Sequence, residues 1–76
     1  MQLIVYNNLG ATELMKLINE LPDGYRTVFN LSVIEGYSHD EIAVMLGIQA
    51  STSRSQLVKA RRMLQEQILQ LEKIAV

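Results

Sequence analysis

The 76-residue chain has no cysteine, no tryptophan, one proline and one histidine. Without cysteine there is neither a disulfide framework nor a thiolate metal site, and a lone histidine cannot supply a zinc site by itself. A domain of this size sits near the lower limit for a single hydrophobic core, so its fold must rest on packing alone. Long apolar runs are missing too. The hydrophobic residues recur at helical spacing instead of gathering into the roughly 20 consecutive positions that cross a bilayer. No basic, apolar, small-residue signal opens the chain. A single soluble, cytoplasmic domain with no membrane partner is the expectation. Phosphate-binding glycine loops, paired acids in a cleft, internal repeats and low-complexity segments are also lacking. Neither an enzyme nor a cofactor site is expected.

What the chain does have is charge, and the charge is segregated. Seven bases and eight acids sum to -1. Residues 1–41 hold six acids (Glu13, Glu20, Asp23, Glu35, Asp40, Glu41) against Lys16 and Arg26. Residues 42–65 hold Arg54, Lys59, Arg61 and Arg62 and no carboxylate. The net value argues against a dedicated nucleic-acid binder. The distribution argues the other way, because the basic segment attracts a phosphate backbone while the acidic one turns away from it, which orients the domain as it approaches.

Along the chain, residues 1–10 (MQLIVYNNLG) read as a linker or N-terminal arm ending in turn formers, and residues 11–76 as one domain. From Thr12, taken as a cap, Leu14, Leu17, Ile18 and Leu21 recur at three- and four-residue spacing and predict a first helix that stops before Pro22. Pro22 suits the first turn of a second helix, with Asp23 at the positive end of its dipole. Tyr25, Val28, Phe29, Leu31, Ser32 and Val33 include a broad apolar stripe that marks this helix as the centre of the core, and Gly36 ends it. Ser38 and Glu41 form a capping box opening a third helix. Ile42, Ala43, Met45 and Leu46 are expected to pack inward before Gly47 stops it. A fourth helix begins near Ala50 and meets no proline or glycine before Val76. Leu57, Ala60, Leu64, Ile68, Leu71 and Ala75 draw one apolar line down it, which either folds back on the first helix or pairs with a second copy of the chain.

The order from Tyr37 to Leu64, a capped short helix, a glycine turn and a basic helix, is that of a helix-turn-helix DNA reader. The same residues resemble region 4 of bacterial RNA polymerase sigma factors of the extracytoplasmic-function (ECF) group. LPDGYRTVFNL at 21–31 is similar to the family's L-P-x-x-x-R-x-V-F-x-L entry helix. IEGYSHDEIAVMLGI at 34–48 is similar to E-G-x-S-x-x-E-I-A-x-x-L-G-I, and TSRSQLVKARRML at 52–64 to T-V-K-S-R-L-x-R-A-R-x-x-L. Two positions depart from the pattern. Ser53 stands where a β-branched aliphatic is usual, although a subset of the family carries T-S-R-S-Q-L. Gln49 stands where Ser usually caps the helix, which leaves Ser51 as an alternative cap. The resemblance implies an all-α, four-helix domain with a C-terminal helix-turn-helix, like a winged-helix DNA-binding domain without the wing. It implies recognition of the minus-35 promoter element as double-stranded DNA, docking on the β-subunit flap of RNA polymerase, and an anti-sigma factor as a further candidate partner. The family's region 2 is absent, so the sequence reads either as a piece of a longer sigma factor or as a stand-alone region 4 protein.

In the major groove the fourth helix would present Arg54, Ser55, Val58 and Lys59 on one face. Arg54 suits guanine O6 and N7, Val58 a thymine methyl, and Ser55 and Lys59 base edges or phosphate. Gln56 lies beside that face, where a slight rotation of the helix would let it read adenine. Ser51, Thr52, Arg61 and Arg62 are candidate phosphate contacts, with Arg26, Tyr37, Ser38 and His39 bracing the flanking strand. Ser38, His39 and Asp40 do not make a catalytic triad, since adjacent residues at a helix start diverge. His39 is expected to be exposed. Two other readings stay open: a protein-interaction module for an anti-sigma factor or the polymerase flap, and a dimeric repressor-like regulator.

Overall fold

The structure, a computed structural model, describes residues 10–75, with side chains described through residue 71. The proposed linker therefore lies almost wholly outside the described residues, as does the side chain of Ala75 in the apolar line. Helix α1 spans Ala11–Asn19 and α2 spans Asp23–Phe29, continuing into a π-helical turn at Asn30–Ile34. Helix α3 spans His39–Leu46 and α4 spans Ala50–Ala75.

Helix α1 starts two residues earlier than a Thr12 cap implies. Gly10, not Thr12, is its N-cap and makes no side-chain cap bond. Ala11 is a strong helix former and Glu13 complements the dipole in the first turn, so the helix gains two residues without needing the threonine as a cap. Pro22 stands just outside α2, as its N-cap in an extended conformation, and its carbonyl accepts the Arg26 N–H at 2.8 Å. Arg26 closes the corner between the two helices. Its guanidinium donates to the Asn19 carbonyl at 3.2 Å and to Asp23 Oδ1 at 2.6 Å, satisfying one of the open carbonyls at the end of α1.

The π turn ends at Gly36, which takes the left-handed conformation at φ 81°. The Glu35 N–H reaches the Asn30 carbonyl and the Tyr37 N–H reaches Leu31, each at 2.9 Å. Winding one residue wider than an α-helix rotates the end of the segment away from the core, and this narrows the expected stripe. Val28 and Phe29 are buried and Tyr25 and Leu31 pack against the core, but Val33 and Ile34 are exposed.

The capping box at α3 is present as read. The Glu41 N–H donates to Ser38 Oγ at 3.1 Å, and the Ser38 N–H donates to Glu41 Oε1 at 2.9 Å. Gly47 ends α3 at φ 68°, with the Ile48 N–H bonded to the Ala43 carbonyl at 3.1 Å, a closure only a left-handed residue permits. The inward face of α3 is narrower than expected. Ile42 is fully buried and Ala43 half-buried, while Met45 and Leu46 are exposed, so only part of the apolar face read from the spacing is covered.

Helix α4 is the axis of the domain. Leu57, Ala60, Leu64 and Ile68 are buried along it against Leu17, Ile18 and Leu21 from α1 and its exit turn, Val28 and Phe29 of α2, and Ile42 of α3. The apolar line thus folds back within the chain as far as Ile68, and Leu71 emerges exposed. Gln49 supplies the carbonyl that accepts the Ser53 N–H at 3.1 Å, which fixes the start of α4 at Ala50 and makes Gln49, not Ser51, the N-cap.

Candidate nucleic-acid interface

Because one side of α4 is committed to the core, the side facing away from it is decided by helical geometry. Ser51, Ser55, Val58 and Arg62 recur at four-, three- and four-residue intervals, which superposes them on an α-helix, and all four are exposed. Arg54 and Lys59 flank that line and are exposed as well. Val58 keeps 54% of its surface in solvent, an apolar side chain set among polar and basic neighbours. Arg61 is half-buried on the margin of this face, where Val58, Arg61, Arg62 and Gln65 surround a shallow depression of 290 Å³. Gln65 was not singled out in the sequence. Its position one turn beyond Arg61 and Arg62 was the available signal.

The remaining candidates separate from this face. Gln56 turns inward: its Oε1 is buried without a hydrogen-bond partner, and a methyl group added at Gly24 of α2 would come within 3.3 Å of it. It lines a cleft of 310 Å³ between α2 and the start of α4, together with Thr52, Leu46 and Ile48. Thr52 is exposed at the rim of that cleft. Arg26 is engaged at the α1–α2 corner, as described above. Tyr37 is exposed and borders an apolar hollow with Val44 and Met45, beside the carboxylates of Asp40 and Glu41. Ser38 is occupied as the cap of α3.

His39, expected in solvent, is half-buried. Its Nδ1 lies 2.7 Å from Ser53 Oγ, and Ser53 is completely buried. By residue type alone these two read as a phosphate contact and a family variant. That Ser53 falls one turn before Leu57 on the apolar line was the sign that it points inward.

Charge follows the same division. All six carboxylates of residues 10–41 are exposed on the part of the molecule built from α1, α2 and the first turn of α3. Of the exposed bases, Lys16 lies on α1, while Arg54, Lys59 and Arg62 lie on α4 with no carboxylate before the exposed Glu66. Anionic partners are thereby directed to one helix face.

A family model described as Sigma-70, region 4 matches residues 11–64, from the start of α1 through the buried Leu64 of α4. The chain belongs to the sigma-70 region 4 family. Its curated relatives are of the ECF type. The chain is 30% identical over 66 residues to the ECF RNA polymerase sigma-E factor of Haemophilus influenzae, a match covering 82% of this chain and 35% of the relative. It is 35% identical over 60 residues to the ECF RNA polymerase sigma factor SigE of Mycolicibacterium smegmatis, covering 79% of this chain and 23% of that protein. The region 4 chain thus spans about a third or less of the length of these relatives. No solved structure gives a significant match. Among the described residues, no helix of the region 4 domain is long and apolar enough to cross a membrane.

Proposed function

We propose that this region 4 domain binds the minus-35 promoter element as double-stranded DNA and directs RNA polymerase to it during transcription initiation, in the cytoplasm. The observation that carries this reading is the outward face of α4, where Arg54, Ser55, Val58, Lys59 and Arg62 stand exposed directly after the helix-turn-helix junction. A major groove admits one helix, and this face supplies the partners its base edges call for: a guanidinium for guanine, a hydroxyl, and an aliphatic surface for thymine methyls. Arg62, Ser51 and the N-terminal N–H groups of α4 would hold phosphates and set the register without reading sequence. Gln56 has no part in the reading, since its carbonyl oxygen is enclosed against α2. The activity is binding, with no covalent step for the domain to catalyse.

A second contact belongs to the same reading. Val44 is 86% exposed, and with Tyr37 and Met45 it makes an apolar surface beside Asp40 and Glu41, on the acidic part of the domain that DNA would avoid. Such a surface suits a protein, here the flap of the polymerase β subunit or an anti-sigma factor. This division of labour also favours DNA reading over a dimeric repressor, because the apolar line of α4 is used within the chain through Ile68.

Fluorescence anisotropy of the purified domain against a duplex selected from a random pool, with a scrambled duplex as control, tests the proposal. Arg54→Ala is expected to abolish the preference for the selected duplex, a loss of about 1–3 kcal/mol for a bidentate base contact. With about 4 to 6 phosphates neutralised, log affinity should fall against log salt with a slope of roughly -4 to -5. A slope near zero, or equal binding of both duplexes by the wild type, would shift the function to protein interaction alone.

A further inference from the structure

We propose that His39 and Ser53 are a positioning pair whose hydrogen bond sets the angle at which α4 is presented to DNA. The proposal rests on the DNA-reading role of α4 argued above.

Three observations meet at this bond. Ser53 is fully buried in the first turn of α4, in line with Leu57, at a position suited to an apolar side chain. A hydroxyl enclosed there is unfavourable unless it is paired. The partner it has is His39 Nδ1 at 2.7 Å, fourteen residues away and the first residue of α3. The bond therefore ties the beginning of one helix of the helix-turn-helix to the beginning of the other. Second, little else on α3 can do this. Ile42 is its one fully buried side chain, while Val44, Met45 and Leu46 are all exposed. Ile42, with the half-buried Ala43 beside it, resists separation of the two helices but resists rotation poorly, because apolar contact has no direction. A hydrogen bond does have one. Third, Ser53 is adjacent in sequence to Arg54 and Ser55, the first exposed residues of the reading face. Any rotation of α4 about its buried edge displaces those two side chains first.

The chemistry of the pair suits a fixed joint. A hydroxyl both donates and accepts, so Ser53 Oγ donates to a bare Nδ1 or accepts from a protonated one, and the bond survives either tautomer of the ring. The atom that matters is at the δ position. Asparagine carries an amide atom there, whereas glutamine places its amide one bond further out.

The test uses the full chain as Ser53→Ala, His39→Ala, His39→Asn and the Ser53→Ala/His39→Ala double variant, at a temperature where circular dichroism shows all of them folded. Two readouts are taken: the ratio of affinities for the selected and scrambled duplexes, and the orientation of α3 relative to α4 in the free protein from residual dipolar couplings. Ser53→Ala and His39→Ala should each lower the ratio by roughly 3- to 10-fold, the equivalent of one net hydrogen bond. The double variant should lose no more than either single one, and His39→Asn should keep most of the preference. The two alanine variants should also reorient the helices, and His39→Asn should not. A purely structural role would lower melting temperature and leave both readouts unchanged, which overturns the proposal. So does a His39→Asn variant as impaired as His39→Ala beside a neutral Ser53→Ala, which would make the ring itself a DNA contact. If the wild type shows no preference for any duplex, the DNA reading falls, and the dipolar couplings alone decide whether the pair orients α4.

Discussion

The two helices of the helix-turn-helix are held in place in opposite ways. Helix α3 has eight residues, buries one side chain completely and leaves Val44 almost bare. A helix that short is marginal in isolation, and its order comes from its ends: a reciprocal capping box at Ser38 and Glu41 and a left-handed stop at Gly47. Helix α4 has 26 residues and no glycine or proline, and its order comes from its length, through a buried line from Ser53 to Ile68. The difference sorts the surface as well. A helix fixed at its ends can leave its flank open to a protein partner. One fixed along a line must keep a single outward face, and here that face is basic from Arg54 to Arg62.

If packing holds α4, the largest losses come from its middle. Leu64 is fully buried among residues of the core, so Leu64→Ala should destabilise the domain by about 2–5 kcal/mol. For a domain of this size such a loss leaves much of the chain unfolded at room temperature. Urea denaturation followed by circular dichroism would show it as a lowered midpoint. A loss under about 1 kcal/mol would mean that α4 is held elsewhere.

Local devices should matter less, and at α3 alone. Gly47 has φ 68°, and a Cβ added there meets nothing within 4 Å, so Gly47→Ala carries only the backbone penalty of the left-handed region, about 1–2 kcal/mol. Ser38→Ala removes one half of the capping box and should lose about 1 kcal/mol. Hydrogen exchange would separate the two helices. Both substitutions should raise the exchange of α3 amides well before those in the middle of α4, and a uniform increase would show that the two helices open as one unit.

The contrast between ends and lines also explains what could be read in the sequence. Ser38, Glu41, Gly36 and Gly47 act on their immediate neighbours, so three residues of context suffice to read them, and all four do what their types imply. The line from Leu57 to Ile68 was equally legible as a periodicity. Its partner was not, since spacing alone does not say whether an apolar edge meets α1 or another chain. The spacing of Met45 and Leu46 fits an inward helix face, but how much of that face is covered depends on how α3 packs on α4, which no local pattern records. By residue type alone, Gln56 reads as an adenine reader and His39 as an exposed imidazole. Their surroundings come from α2 and from Ser53, both remote in sequence.

The smallest expected effect is the sharpest check on this contrast. Val44 lies in the middle of α3 with 86% of its surface in solvent. If α3 is held by its ends, truncating this side chain removes no packing, and alanine is the better helix former by about half a kcal/mol. Val44→Ala should therefore leave the denaturation midpoint unchanged or raise it slightly, and leave DNA affinity as it was. Any loss should appear only when a protein partner is added, as weaker capture of the polymerase flap or of an anti-sigma factor. A loss of more than about 1 kcal/mol in the free domain would mean that the flank of α3 is packed in solution, and that its open surface belongs to the fold and not to a partner.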